Sequence, residues 1–126
     1  MTLERNGRDY QLIQSTTTLY CVFSVDNSAI ATLDAGNSPG IAAVTRDDAG
    51  TYLIDIDPAL NLKGVLSLTT GMLLASSLTV IGGVMAADNT GASNQITYAT
   101  FDATGAWVDP SAGQKFMITI VFRGSP

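Results

Sequence analysis

Ile41-Ala42-Ala43-Val44-Thr45-Arg46, Asp47-Asp48-Ala49-Gly50, Thr51-Tyr52-Leu53-Ile54-Asp55-Ile56-Asp57: these three consecutive blocks read as strand, turn and strand. The middle block is turn chemistry, because Asp side chains bond back to the nearby backbone and Gly takes a positive φ without steric cost. The last block is rich in β-branched and aromatic residues, which suit a pleated surface. Its alternation places Tyr52, Ile54 and Ile56 on one face and Leu53, Asp55 and Asp57 on the other. A hairpin with a loop of about four residues is expected. Pro58, which has no backbone N–H to give to a ladder, ends the second strand.

The same grammar repeats on both sides of this hairpin. Residues 17–25 are rich in Tyr, Val, Phe and Leu and close on Asp26-Asn27. Residues 62–69 alternate Leu62, Gly64, Leu66 and Leu68 against Lys63, Val65 and Ser67. Residues 77–87 are apolar and β-branched, with Gly82-Gly83 expected to form a bulge or bend. Residues 94–101 oppose Ile96, Tyr98 and Thr100 to Thr97, Ala99 and Phe101. Residues 115–123 set Phe116, Ile118, Ile120 and Phe122 against Met117, Thr119 and Val121. Turn clusters fill the gaps at 34–40, 88–94 and 102–114, and residues 71–78 are the one helix candidate. Short strands with a turn signal every ten or so residues predict an all-β fold, a single-domain antiparallel β-sandwich or barrel of about eight strands. The first residues carry the densest charge, so the reading divides the chain into an N-terminal arm, 1–10, and a β-domain, 11–126.

Composition narrows the function classes. The chain has 126 residues, enough for one domain that buries roughly two-thirds of its unfolded surface. Its net charge is -5 and its six basic residues are scattered singly, which argues against nucleic acid, whose binding needs a basic footprint. Charged residues make up 13% of the chain, against about 25% in an ordinary domain. A surface so weakly charged is poorly defended against association, and points to coverage by partner subunits. Cys21, the only cysteine, lies in an apolar run with no basic neighbour, and reads as a small buried hydrophobe. No apolar leader opens the chain. Residues 65–87 hold no charge and are long enough to span a bilayer. Their Thr, Ser and Gly interruptions, and the lack of aromatic and basic flanks, favour strands instead.

Chemistry is scarce. The absence of histidine removes imidazole acid–base catalysis, Ser-His-Asp and Cys-His arrangements and the HExxH metal site. Asp55 and Asp57 share a strand face about 7 Å apart, a spacing a glycosidase or a calcium site could use. A solvated strand face explains them as well. Asp47-Asp48 is accounted for by the turn it sits in. Trp107, in a loop, is open to three uses: sugar platform, interface anchor, or lid on one end of the core, the last being favoured. The residues therefore point to a binding protein rather than an enzyme, with no cofactor and no metal.

The stretch 40–125 resembles small tailed-phage capsid decoration, or cement, proteins and related head-fibre proteins. The resemblance is carried by Val44-Thr45-Arg46 followed by Gly50-Thr51-Tyr52-Leu53-Ile54-Asp55-Ile56. It continues through Ile96-Thr97-Tyr98 to Gly105 and Asp109-Pro110, and ends with Gly113 leading into a last apolar strand that closes on Arg123-Gly124-Ser125. It implies a jelly-roll-like β-domain, a homo-oligomer expected to be a trimer, placed on the outer capsid surface of the virion. It implies the phage major capsid protein as partner, with no nucleic acid, no membrane and no catalytic residue. For the contact surface, exposure favours the arm residues Leu3, Arg5, Arg8 and Tyr10, acting as an added strand. Trp107 and the turn clusters at one end of the domain complete the expected interface. The alternative is a receptor- or glycan-binding module of a head fibre or tail fibre.

Overall fold

A computed structural model describes residues 16–26, 30–73 and 80–125. The arm and the interface residues Leu3, Arg5, Arg8 and Tyr10 lie outside them. The described chain is eight strands: β1 (Thr16–Val25), β2 (Ala31–Leu33), β3 (Ile41–Asp48), β4 (Thr51–Ile56), β5 (Asn61–Leu73), β6 (Gly82–Asn89), β7 (Gln95–Phe101) and β8 (Lys115–Ser125). They form two antiparallel four-stranded sheets, A in the order β2-β1-β8-β5 and B in the order β3-β4-β7-β6. The fold is thus a β-sandwich with two separate sheets. The pairing is nested and jelly-roll-like, with β1 beside β8 at the centre of one sheet and β4 beside β7 at the centre of the other. The connections β2–β3, β4–β5, β5–β6 and β7–β8 cross between sheets.

The alternation read in the sequence sets the core. Phe23 from β1, Tyr52 from β4, Tyr98 from β7 and Phe116 from β8 are fully buried between the sheets. Phe23 stacks on Phe116 at 5.2 Å between ring centres and meets Tyr98 edge-on at 6.2 Å. Ile54, Ile56, Ile96, Ile118, Ile120 and Phe122 fill the space around them. Each such aromatic or aliphatic side chain contributes about 1.5–3 kcal/mol through removal from water. Cys21 is buried among them, as its surroundings in the sequence imply.

Several expectations are corrected. The 41–57 hairpin turns in two residues, not four: Asp48 pairs with Thr51, and an irregularity between Arg46 and Asp48 absorbs Asp47. Gly50 supplies the positive φ, +69°, that this tight turn requires. Strand β4 ends at Ile56, so Asp57 does not share its face. Asp57 instead donates its N–H to the Gly40 carbonyl and accepts the Ala59 N–H on Oδ1. In β5 two register shifts, between Leu62 and Gly64 and between Val65 and Ser67, break the simple alternation. Leu62, Val65 and Leu68 consequently pack on the core, while Leu66 is turned out. Residues 71–73 continue β5 as strand, and the rest of the helix candidate lies outside the described residues. Two short helical turns form among the described residues, a 3-10 turn at Ala35–Asn37 and α1 (Thr90–Ser93), in the 34–40 and 88–94 turn clusters. Among the described residues no helix is long and apolar enough to cross a membrane.

Gly82-Gly83 is neither bulge nor bend. Both residues lie within β6, paired with Phe101 and Thr100 of β7, and the register shift comes later, between Met85 and Ala87. They are glycines because neighbours occupy the space of a side chain. The Phe101 ring lies against Gly82, and a Cβ on Gly83 would overlap the Tyr98 hydroxyl. That hydroxyl shares a 2.8 Å hydrogen bond with Thr70 of β5, linking the two sheets.

Candidate functional site

The most heavily built polar feature among the described residues is a latch at the tip of the β3–β4 hairpin. Its centre is Asp109. Arg46 donates from Nε to Oδ1 and Oδ2 and from Nη2 to Oδ2, the last at 2.8 Å. The Gly50 N–H and the Tyr52 hydroxyl donate to Oδ1 at 3.0 and 2.8 Å. The forked Arg–carboxylate geometry is the strong form of such a pair. Partial burial pushes the Asp109 carboxyl up, but the bonds from Arg46, Gly50 and Tyr52 and the Arg46 charge outweigh it and hold the group below the ordinary carboxylate range. Burial, then the bond to Asp109, pushes the Tyr52 phenol well above its ordinary value.

This latch clamps residues 102–109 onto the end of sheet B. Asp102 closes the first part of the loop by accepting the Thr104 N–H, the Thr104 hydroxyl and the Ala106 N–H on Oδ1. Thr104's hydroxyl is the chief reason its carboxyl is also held low. The chain then runs back along β7: Trp107 bridges Phe101, and Val108 donates its N–H to the Thr100 carbonyl at 3.1 Å. The Thr100 hydroxyl returns a 2.7 Å bond to the Val108 carbonyl. Gly50 lies so close beneath that a Cβ there would come within 2.5 Å of the Val108 nitrogen. Glycine at 50 is therefore required twice, by its φ and by this contact.

What the clamp presents is Trp107. The favoured reading as a lid over the core is corrected here: Trp107 is 52% exposed. Its backbone pairs with that of Phe101, so the two aromatic residues stand side by side, as cross-strand partners do. The cause is the ladder that pins the Trp107 backbone along β7 and leaves the core to side chains of the strands proper. A large aromatic surface is thus held in water by a loop whose backbone is bonded at both ends.

The other sequence candidates are not brought together. Asp55 accepts a 2.7 Å bond from Gln95 Nε2 on the neighbouring strand, while Asp57 caps the following turn. Among the described residues no group of three or more His, Cys, Asp or Glu side chains is placed to hold a metal ion. An apolar cleft of about 290 Å³ is lined by Thr17, Thr18, Leu19, Tyr20, Pro39, Gly40 and Leu60, and not by Trp107. The latch escaped sequence reading because Arg46 and Asp109 are 63 residues apart. No family model, no curated protein and no solved structure matches the chain.

Proposed function

We propose that this protein is a non-enzymatic structural component of a phage virion, which binds the outside of the capsid and stabilises the shell by clamping neighbouring major capsid subunits. The observation that carries the reading is Trp107, half-exposed on a loop whose backbone is paired to β7. Exposed aromatic side chains on rigid supports serve as anchors of protein interfaces, since little conformational freedom is lost when they are covered. The weakly charged surface supports the same reading. The resemblance of residues 40–125 to cement proteins supplies the partner and the trimeric state. A protein that binds the finished shell and not its unassembled parts stabilises the shell by mass action. Repetition over many sites makes modest single contacts effective together.

The same Trp107 favours a second reading, a receptor- or glycan-binding module of a head or tail fibre, because an exposed indole face is also a sugar platform. Quantitative mass spectrometry of purified particles separates the two. Hundreds of copies per particle, with shells that disrupt more easily when the protein is absent, is the expected result. A few copies per particle would overturn the cement reading in favour of a fibre. Trp107→Ala should leave the melting temperature of the free protein within a few degrees of the parent while weakening shell binding at least tenfold.

A further inference from the structure

Strand β1 is paired unequally on its two sides. Residues 16–24 all pair with β8. On the other side β2 pairs only with residues 23–25. Val22 is held on that side too, its carbonyl accepting the Asp34 N–H and its own N–H donating to the Ser38 hydroxyl oxygen. Alternate residues of an antiparallel strand bond to the same neighbour, so Thr16, Thr18 and Tyr20 turn their N–H and C=O groups the way Val22 does. Among the described residues no strand meets them there.

The apolar cleft lies against this open edge. Leu19, Pro39, Gly40 and Leu60 line it together with Thr18 and Tyr20. Gly40 has a φ of +89°, and a Cβ on it would come within 2.9 Å of Leu19 and 3.3 Å of Leu60, so these three residues are closely packed. An open ladder beside an apolar groove is what strand addition uses: the backbone supplies the bonds and the groove takes alternate side chains.

The covalent chain limits what can reach this edge. Residues 1–15 lead directly into Thr16 and so to Thr17 and Thr18, which line the cleft. Residues 27–29 follow the far end of β1, and residues 74–79 follow Leu73, which lies level with Lys115 and Ser24 near that same end. Within the arm, Tyr10, Leu12 and Ile13 suit a strand, and alternation places Tyr10 and Leu12 on one side of it. Residues 10–25 contain no Gly, Pro, Asn or Asp, the residues with which chains commonly reverse. The strong turn signal, Asn6-Gly7, would set residues 1–5 against 8–12 and not against β1. Nothing in this sequence turns the arm back onto its own cleft.

We propose that the open edge of β1 and the cleft beside it take residues 10–15 of a second copy of the chain, added as a strand. Each copy gives one arm and receives one, an exchange that closes into a small ring and accommodates the expected trimer. The contact needs no capsid. A chain that self-associates in free solution but binds no shell retains this inference and loses the functional proposal, and a chain that binds shells but stays monomeric in solution does the reverse.

The test is sedimentation velocity on the full chain from 1 to 300 μM, joined to cross-linking. Self-association is expected. Tyr10→Asp with Leu12→Asp should weaken it about tenfold or more, and Tyr20→Asp, at an exposed position on the receiving side, should do the same. Circular dichroism establishes that each variant is folded. For the cross-link, one chain carries Tyr10→Cys, Gln11→Cys or Leu12→Cys and another carries Pro39→Cys. A disulfide between the two chains, located by peptide mass spectrometry, is expected, whereas Ala106→Cys in the Trp107 loop should give none with the arm. A monomer across the range overturns the proposal, as does association that the arm variant leaves unchanged. Association without a bond from any of the three arm positions to position 39 overturns it too. So does a chain carrying both Tyr10→Cys and Pro39→Cys that closes the bond within itself as a monomer, since the arm would then cover its own edge.

Discussion

Asp109 shows how much one carboxylate does here. Its two oxygens take donors from Arg46, the Gly50 backbone and Tyr52, and the Trp107 loop depends on them. Asp109→Asn keeps the shape but loses the charge. At pH 7 it should cost about 1.5–3 kcal/mol, the usual range for hydrogen bonds to a charged group. The pH dependence follows from the direction of the shift. The folded carboxyl lies below its ordinary 3.8, so its stabilisation is complete above that value and is lost as pH falls through the folded one. Urea unfolding from pH 2 to 7 should therefore show the parent losing more stability than the variant between about pH 5 and 2. Equal slopes would mean that the latch is electrostatically idle. Asp88 contributes in the same sense: partial burial raises its carboxyl, but the Thr90 hydroxyl and the Val65 and Thr90 N–H groups prevail and lower it, so the variant's slope is reduced rather than flat. Cys21 illustrates the opposite shift. Burial pushes its thiol up to about 12, so at pH 8 it is neither ionised nor reachable. Labelling by a disulfide reagent should be slow in native buffer and rapid in denaturing urea. Fast native labelling would mean that the sandwich opens at β1.

At the scale of the element, the glycines of β6 carry a coupled prediction. Gly83→Ala drives a methyl group into the Tyr98 hydroxyl and should destabilise by about 1–3 kcal/mol, the usual penalty for overpacking. Tyr98→Phe loses the inter-sheet bond to Thr70, at about 1 kcal/mol, but removes the nearest of the atoms that methyl would meet, although ring carbon Cζ still stands 2.3 Å from it. The double variant should therefore cost less than the sum of the single ones, by at least ~0.5 kcal/mol in a double-mutant cycle. Strict additivity would mean that Gly83 and Tyr98 do not contend for the same space. This pair also marks where the sequence stops being informative. The strands β4, β7 and β8 were legible because one face of each is buried, so burial writes a period of two into the residues themselves. Gly82 and Gly83 were visible as glycines, yet their reason lies in Phe101 and Tyr98 on the next strand. The bulges of β5 are likewise set by its pairing with β8, some 60 residues later. Helix α1, a single turn, is too short to show any period. As for the candidate site, Trp107 itself stood out in the sequence, but its exposure is fixed by a ladder to β7 and a latch to β3 that leave no local trace.

For the whole molecule, the nesting of the strands predicts an order of folding. Sheet B draws all its strands from residues 41–101, and its β3–β4 hairpin closes through a two-residue turn. Sheet A needs β8 between β1 and β5, and Thr16 pairs with Arg123 across nearly the whole chain. Closing a long loop costs entropy that its contacts offset only once formed, so pairings of this kind come late and such proteins fold in milliseconds to seconds. Buried isoleucines on the two sheets give matched probes, Ile54 on β4 and Ile120 on β8. Ile→Val at either should cost about 0.5–1.5 kcal/mol at equilibrium. If the hairpin side of sheet B is structured in the transition state, Ile54→Val slows refolding, whereas Ile120→Val chiefly speeds unfolding. Stopped-flow circular dichroism across a urea series measures both limbs, and avoids relying on Trp107, whose half-exposed ring changes surroundings less than a core residue would. The opposite assignment, with Ile120→Val slowing refolding and Ile54→Val leaving it unchanged, would place the nucleus in the pairing of the chain's two ends. Sheet A would then be the first part of the molecule to form rather than the last.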